Sequence, residues 1–273
     1  MVNKHNDFDL ENIFSIEGKT VDEILHWATE VAGIDVEHLR SSLVAGCELC
    51  DLCLSMSTYY QDNLTECHRL IDDGKGDPVV HEKRLQLLEI GERSNNLSGY
   101  LVLLQMDAMM SLINMLEAKS DVERLLICKH AYTIIYDAKV KGFFRVVSKE
   151  MRELPDMVLP TDRRDELLRG ISNINRMMLS EEEAERVRNN IDAHKSASFT
   201  KQIDAYKQCE FGKCVVSMFA LVKIAWFIQE MLGFVQQNLN VLEKQFEVLV
   251  SERIKKLEEL RASLDSQFLS VDS

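Results

Sequence analysis

The most apolar stretch of the chain runs from Cys214 to Phe234 and has the sequence CVVSMFALVKIAWFIQEMLGF. It is long enough to cross a bilayer, but Lys223 and Glu230 interrupt it. A transmembrane helix needs about 20 nearly charge-free residues. We therefore predict that this segment is the central buried helix of a soluble protein.

The remainder of the chain also has helical patterning. Only 11 glycines and 3 prolines punctuate 273 residues, of which 46% are apolar and 28% charged. Apolar residues recur every three or four positions, which places them on one helix face. The clearest example is Leu101, Leu104, Ala108, Leu112, Met115 and Leu116. We predict an all-α fold, a multi-helix bundle.

Three capping boxes predict where helices begin. In each, a hydroxyl residue is followed three positions later by a glutamate, and the two side chains satisfy free amides of the first turn. The pairs are Thr20 with Glu23, Ser120 with Glu123, and Ser180 with Glu183.

Turn signals divide the chain into helices and two regions. The loop Asp72–Pro78 separates an N-terminal helical region, 1–78, from a helical bundle, 79–273, although both can form one continuous domain. The expected helices cover about 20–33, 35–60, 79–119 with a break or bend near Gly91, 121–154, 162–178 and 181–194. The final segment, 200–268, is expected to hold two or three helices, with breaks at Gly212 and Gly233 and an amphipathic, self-associating C-terminal part.

Charge is distributed unevenly. The formal net charge of -13 disfavours a general nucleic-acid coat protein. The segment from Lys139 to Lys213, however, contains 15 basic and 13 acidic residues, so it is slightly positive. Within this region a basic stripe recurs at helical spacing, formed by Lys141, Arg145, Lys149 and Arg152. It is either a solvated helix face or a surface that contacts RNA phosphates.

The segment Glu185–Lys195, ERVRNNIDAHK, carries the main candidate chemistry. Arg188 is followed directly by Asn189, and His194 comes six positions after the arginine, ahead of Lys195. This arrangement resembles the signature of the HEPN superfamily, in particular its members associated with abortive phage infection. The resemblance implies a HEPN-like helical unit, a homodimer and endoribonuclease activity without a metal or other cofactor.

The residue types suit that reaction. Histidine can move a proton from the ribose 2'-hydroxyl or return one to the leaving oxygen, and arginine stabilises charge on the phosphate. Asn189 would orient either group, and Lys195 would add a phosphate contact. On an ideal helix Arg188 and His194 lie about 120° apart, so a bend or a second copy must complete the site. Alternatively, Arg188 pairs with Asp192 and the motif is structural.

Cysteines and one further histidine offer weaker candidates. Cys47, Cys50 and Cys53 have CxxC spacing, yet no Gly or Pro turns the backbone there, so we favour a packed helix face over a metal site. His130 is expected to be a hydrogen-bonded core residue, or else an accessory site residue.

Two functions remain open from sequence. The first is a metal-independent endoribonuclease of defence or toxin type that acts as a dimer on RNA. The second is a non-catalytic helical scaffold or regulatory partner in a defence or toxin–antitoxin system, which binds another protein such as an antitoxin. Seven cysteines and a polar, acidic first ten residues favour the cytoplasm, without a membrane.

Overall fold

The computed structural model describes residues 19–139, 142–185 and 210–271, and for 257 and 260–271 it describes the helix but not the side chains. These residues form seven helices, the start of an eighth, and no strand, so the predicted all-α bundle is confirmed. The helices are α1 Val21–His26, continued by a π-helical turn Trp27–Val31, α2 Val36–Asp72, α3 Pro78–Glu117, α4 Asp121–Lys139, α5 Phe143–Glu153, α6 Thr161–Met177, α7 from 181, described to 185, and α8 Phe211–Val271.

The three predicted capping boxes are present. Thr20 and Glu23 exchange hydrogen bonds at the start of α1. Ser120 and Glu123 do so at the start of α4. Ser180 and Glu183 do so at the start of α7. Local chemistry therefore determines where these helices begin.

The helix α8 lies at the centre of the bundle and contacts α1, α3, α4 and α6. The predicted central segment, Cys214–Phe234, is mostly buried in it. By length and composition alone, Pro78–Glu117 and Phe211–Lys256 could each cross a membrane, and 50% and 67% of their most apolar windows are buried inside the protein. One apolar cluster extends from Ile24 to Leu239 and joins helices on both sides of the 73–77 loop.

The helices α2 and α3 form a long antiparallel hairpin, and here two predicted boundaries were wrong. α2 continues past Tyr60 to Asp72, because Tyr60 and Cys67 pack with Leu88 of α3 in a second apolar cluster. α3 does not break at Gly91. The glycine instead lets the Tyr60 ring lie directly against the α3 backbone, where a Cβ would overlap it.

The predicted single helix 121–154 is also wrong. α4 ends at Lys139, and α5 begins at Phe143 after Gly142, whose φ of 86° lies in the left-handed region. Glycine adopts this conformation without the penalty that a Cβ brings, so the chain can change direction here. This turn lets the apolar face of α5, with Phe144, Val147 and Met151, enter the core separately.

The C-terminal segment forms one helix rather than two or three. α8 begins at Phe211, includes Gly212 and continues through Gly233. Buried Leu232 and Val235 flank Gly233, and their packing outweighs the weak helix propensity of glycine.

Candidate functional site

Most residues of the predicted catalytic motif lie outside the described part of the chain. These are Arg188, Asn189, His194 and Lys195, together with Lys141 of the basic stripe. The structure describes what leads to the motif: the start of α7, up to Glu185. The described part of the candidate site therefore consists of the first turn of α7 and the helices around it.

The first turn of α7 is fixed on the core. The Ser180 amide donates to Glu183 Oε2 at 3.1 Å, and the Glu183 amide donates to Ser180 Oγ at 3.2 Å. Leu179, immediately before the cap, and Ala184, in the first turn, are both buried. The Leu179 amide donates to Ser217 Oγ of α8 at 3.0 Å. The start of α7 is thus attached at a defined point on α8.

An ion pair strengthens this base. Lys213 Nζ of α8 lies 3.0 Å from Glu183 Oε1 and 3.1 Å from Glu210 Oε1. Burial alone would raise the pKa of Glu183, but hydrogen bonds from Lys213 and Ser180 outweigh it and hold the pKa below its usual range. Burial opposes the charge on Lys213 too, yet its two carboxylate partners raise its pKa. Both groups are therefore charged at neutral pH.

A second lysine joins three elements at the same place. Lys139, the last residue of α4, is buried, and its Nζ donates to the carbonyl oxygens of Asn175 at 2.9 Å and Leu179 at 2.6 Å. An ammonium at these carbonyls satisfies acceptors that the end of α6 leaves unpaired. Burial lowers the pKa of Lys139, and Glu181 and Glu183 oppose this effect.

Sequence reasoning did not identify Lys139 or Lys213 as positioning residues. Neither belongs to a recognisable motif, because Lys139 contacts backbone carbonyls and the Lys213 partner on α7, Glu183, lies 30 positions away in sequence. The only sequence signal was that each lysine sits at one end of an apolar helical segment.

The basic stripe is exposed along α5. Arg145, Lys149 and Arg152 all face solvent. Lys149 Nζ lies 3.8 Å from Glu153 Oε1, one turn away. The core-facing side of α5 lies on the other side of the helix. These three positions are accessible to a polyanion, and equally to water.

A cavity of about 390 Å³ opens between α3, α4 and α5. Its lining consists of Arg93, Asn96, Leu97, Tyr100, Asp137, Phe143, Val146 and Glu150. The rings of Tyr100 and Phe143 stack with centroids 5.3 Å apart. Arg93 contacts Glu150 and Glu153, each at 2.6 Å. Because its arginine already has two carboxylate partners, this cavity is a poor phosphate site.

The three cysteines Cys47, Cys50 and Cys53 on α2 differ in their burial. Cys53 is buried beneath Gly99, Cys50 is half-buried and Cys47 is exposed. Burial raises the pKa of Cys50, and the neighbouring Cys53, Cys47 and Asp51 add to the effect. Among the residues the structure describes, no group of three or more His, Cys, Asp or Glu side chains is arranged to hold a metal ion.

His130 corrects another prediction. It lies on the exposed side of α4 rather than in the core. The neighbouring apolar residues Ala131, Ile134 and Ile135 are buried, whereas the His130 side chain remains exposed. An apolar neighbourhood in sequence therefore did not indicate burial of this histidine.

No protein-family model, no curated protein and no solved structure matches this chain.

Proposed function

We propose that this protein is a metal-independent endoribonuclease of defence or toxin type, active as a dimer, with its chemistry at Arg188, Asn189 and His194. The motif in the sequence suggests the reaction, and the base of α7 provides the structural support. Leu179, Glu183 and Ala184 attach the start of α7 to the core, immediately before the motif in the sequence. A catalytic pair needs such a rigid support, because small displacements of reacting groups reduce rates strongly.

In the proposed reaction, the ribose 2'-oxygen attacks the adjacent phosphorus and the bond to the 5'-oxygen of the next nucleotide breaks. His194 accepts the 2'-hydroxyl proton or protonates the leaving oxygen, and Arg188 neutralises charge on the phosphate. The products are a 2',3'-cyclic phosphate and a free 5'-hydroxyl. A second copy supplies the complementary acid or base.

The exposed stripe Arg145, Lys149 and Arg152, together with Lys141 and Lys195, would hold the RNA backbone. The net charge of -13 opposes indiscriminate binding of RNA. We infer a narrow RNA substrate in the cytoplasm.

A second function has its own structural support. The C-terminal half of α8 exposes Val241, Val248, Leu249 and Ile254, each more than half accessible. Exposed apolar side chains at this density favour a non-catalytic scaffold or regulatory partner that docks other proteins through α8.

Expression in a bacterial host separates the two functions. The natural chain and a His194→Ala variant are compared, with His130→Ala as the matched control because His130 is an exposed histidine outside the motif. The nuclease proposal predicts growth arrest and fragmented RNA for the natural chain and for His130→Ala only. If all three chains are equally harmless or equally toxic, the nuclease proposal is contradicted and the scaffold function is favoured.

A further inference from the structure

Most arginines in the described part of the chain are paired with carboxylates. Seven of them form ion pairs: Arg40, Arg69, Arg93, Arg124, Arg163, Arg164 and Arg253. Another, Arg84, donates to the Asn63 side chain. The other four are exposed and have no ion pair or hydrogen bond within the described residues: Arg145, Arg152, Arg169 and Arg176. All four lie on α5 and α6, in a chain whose net charge is -13.

The helices α5 and α6 are neighbours that run in opposite directions. Near the turn between them, Arg164 of α6 donates to the carbonyl oxygen of Leu154, the residue after α5, at 2.7 Å. At the far end, Lys139 donates to the Asn175 carbonyl oxygen of α6 at 2.9 Å, and α5 begins at Phe143, shortly after Lys139. Both ends of the pair are thus held together, and the two helices contact each other between them.

The two arginines of α5 lie on the outer side of that helix. Arg145 and Arg152 are about 160° and 140° around the helix from Val147, which is fully buried. Because they are seven residues apart, they are separated by about 10.5 Å along the helix axis. Lys149 is exposed between them on the same side. The helix α5 therefore presents a row of cations to solvent.

The arginines of α6 repeat this arrangement. Arg169 and Arg176 are also seven residues apart, and they lie at the same two angles from buried Ile171. Val147 and Ile171 belong to one apolar cluster, so the outer sides of these neighbouring helices face solvent together. We call the four unpaired residues the arginine surface: Arg145, Arg152, Arg169 and Arg176.

The arginine surface has polar neighbours and no exposed aromatic ring. Ser172 and Asn173, which lie between the two α6 arginines in sequence, are exposed. The only aromatic residues of α5 and α6 are Phe143 and Phe144, and both are 5% exposed. Hydroxyl, amide and guanidinium groups are therefore what the two helices offer to a ligand.

Carboxylates limit this surface at one end. Asp162 and Asp165 are exposed in the first turns of α6, where they would repel a polyanion. Glu150 and Glu153 of α5 contact Arg93 of α3 instead. An anion would therefore approach from the end where α5 begins and α6 ends.

We propose that the arginine surface holds a base-paired segment of the RNA substrate by its phosphates. That the ligand is RNA rests on the proposed function, whereas the choice of base-paired RNA rests on the surface itself. Proteins that hold single-stranded RNA commonly stack its bases on aromatic side chains, and α5 and α6 expose none. A double helix instead presents phosphates and the 2'-hydroxyls of its minor groove, which suit guanidinium, hydroxyl and amide groups.

A membrane surface fits the same cations less well. Helices that bind anionic membranes place Trp, Phe or Leu beside their basic residues and insert these side chains at the headgroups. The helix α6 exposes no large apolar residue, and the exposed Val146 of α5 lines the cavity toward α3. RNA phosphates therefore account better for the arginine surface.

Binding is measured with the full chain carrying His194→Ala, so that the probe is not cut. The probes are an RNA duplex of about 20 base pairs and either of its strands alone. Fluorescence anisotropy should show the duplex bound about tenfold more tightly than the single strand. Arg169→Gln and Arg176→Gln should each weaken duplex binding about threefold to tenfold, and each should lower the slope of log affinity against log salt concentration by about 1.

Arg163→Gln is the matched control on the same helix. Arg163 already forms an ion pair with Glu166 at 3.3 Å, so this substitution should change the affinity for the duplex by less than about twofold. Circular dichroism checks that each variant remains helical.

Unchanged duplex binding in both Arg169→Gln and Arg176→Gln would overturn the proposal, as would equal binding of duplex and single strand. So would binding to vesicles of phosphatidylglycerol and phosphatidylcholine that the same substitutions abolish. Duplex binding that depends on these arginines, while the natural chain cuts no RNA, would support the arginine surface and contradict the nuclease. If the natural chain cuts RNA and neither substitution weakens duplex binding, only the arginine surface is overturned.

Discussion

Glu183 on α7 and Lys213 on α8 form an ion pair of 3.0 Å, which joins the first turn of α7 to the central helix of the bundle. Both side chains are only about 30% exposed, at 29% and 28%. The same glutamate completes the capping box with Ser180, so a single carboxylate both starts α7 and attaches it.

Loss of that pair should cost stability. Lys213→Met should lower the free energy of unfolding by about 1–3 kcal/mol, because it leaves Glu183 half-buried without its cation. Urea denaturation followed by circular dichroism measures the change. Arg163→Gln is the control: the Arg163–Glu166 pair is 52% and 43% exposed, and its removal should cost less than about 1 kcal/mol. Equal effects of the two substitutions would contradict the anchoring role.

The depressed pKa of Glu183 predicts acid sensitivity. The pKa of this carboxyl is lower in the folded state than its ordinary value of 4.5. Its charge therefore stabilises the fold at pH values above 4.5, and this stabilisation is lost as the pH falls through the folded-state pKa. Glu183→Gln should therefore flatten the decline in stability below pH 4.5, relative to the natural chain. Denaturation midpoints measured across that range test this. An unchanged acid slope in the variant would refute it.

Glu243 on α8 predicts the opposite dependence. Its burial raises its pKa, Glu247 adds to the rise and Arg84 opposes it. The folded state then binds the proton more tightly, so stability falls as the pH rises from the ordinary pKa through the folded value. Glu243→Gln should be more stable than the natural chain at neutral pH, and the difference should vanish in acid. Thermal unfolding at both pH values provides the comparison, and a less stable variant at neutral pH would show the assignment to be wrong.

Gly91 should tolerate no side chain. A methyl group there would overlap the Tyr60 ring, which is 1% exposed, so Gly91→Ala should destabilise the hairpin by about 2–4 kcal/mol. Gly233 on α8 has open space around its Cβ position, and Gly233→Ala should stabilise by up to about 1 kcal/mol through helix propensity. Chemical denaturation of the two variants should show the free energy of unfolding lowered for Gly91→Ala and raised for Gly233→Ala.

The sequence was sufficient for the fold class and for the helix starts that carry a capping box, because both depend on local chemistry. Ser120 and Ser180 satisfy amides within their own first turns, and apolar spacing indicates which residues are buried wherever a helix is long. Whether a helix continues through a glycine was not predictable in the same way. Gly91 and Gly233 lie within helices, whereas Gly142 precedes α5 with a φ of 86°, and the presence of a glycine alone does not distinguish the two cases.

The candidate site was predicted only in part. Spacing alone placed Arg145, Lys149 and Arg152 on one exposed face. The supports of α7 could not be predicted, because Lys139 recognises carbonyl oxygens, which every residue carries, and Lys213 recognises a glutamate distant in sequence. Interactions of this kind depend on the tertiary packing that brings the helices together.

The most direct measurement of the central claim is cleavage of total bacterial RNA by the purified full chain in the presence of excess EDTA. The natural protein and His130→Ala should cut, leaving 2',3'-cyclic phosphate ends, while His194→Ala and Arg188→Ala should each be slower by about 100-fold or more. No cleavage by the natural chain, cleavage that EDTA abolishes, or undiminished cleavage by His194→Ala would contradict the account.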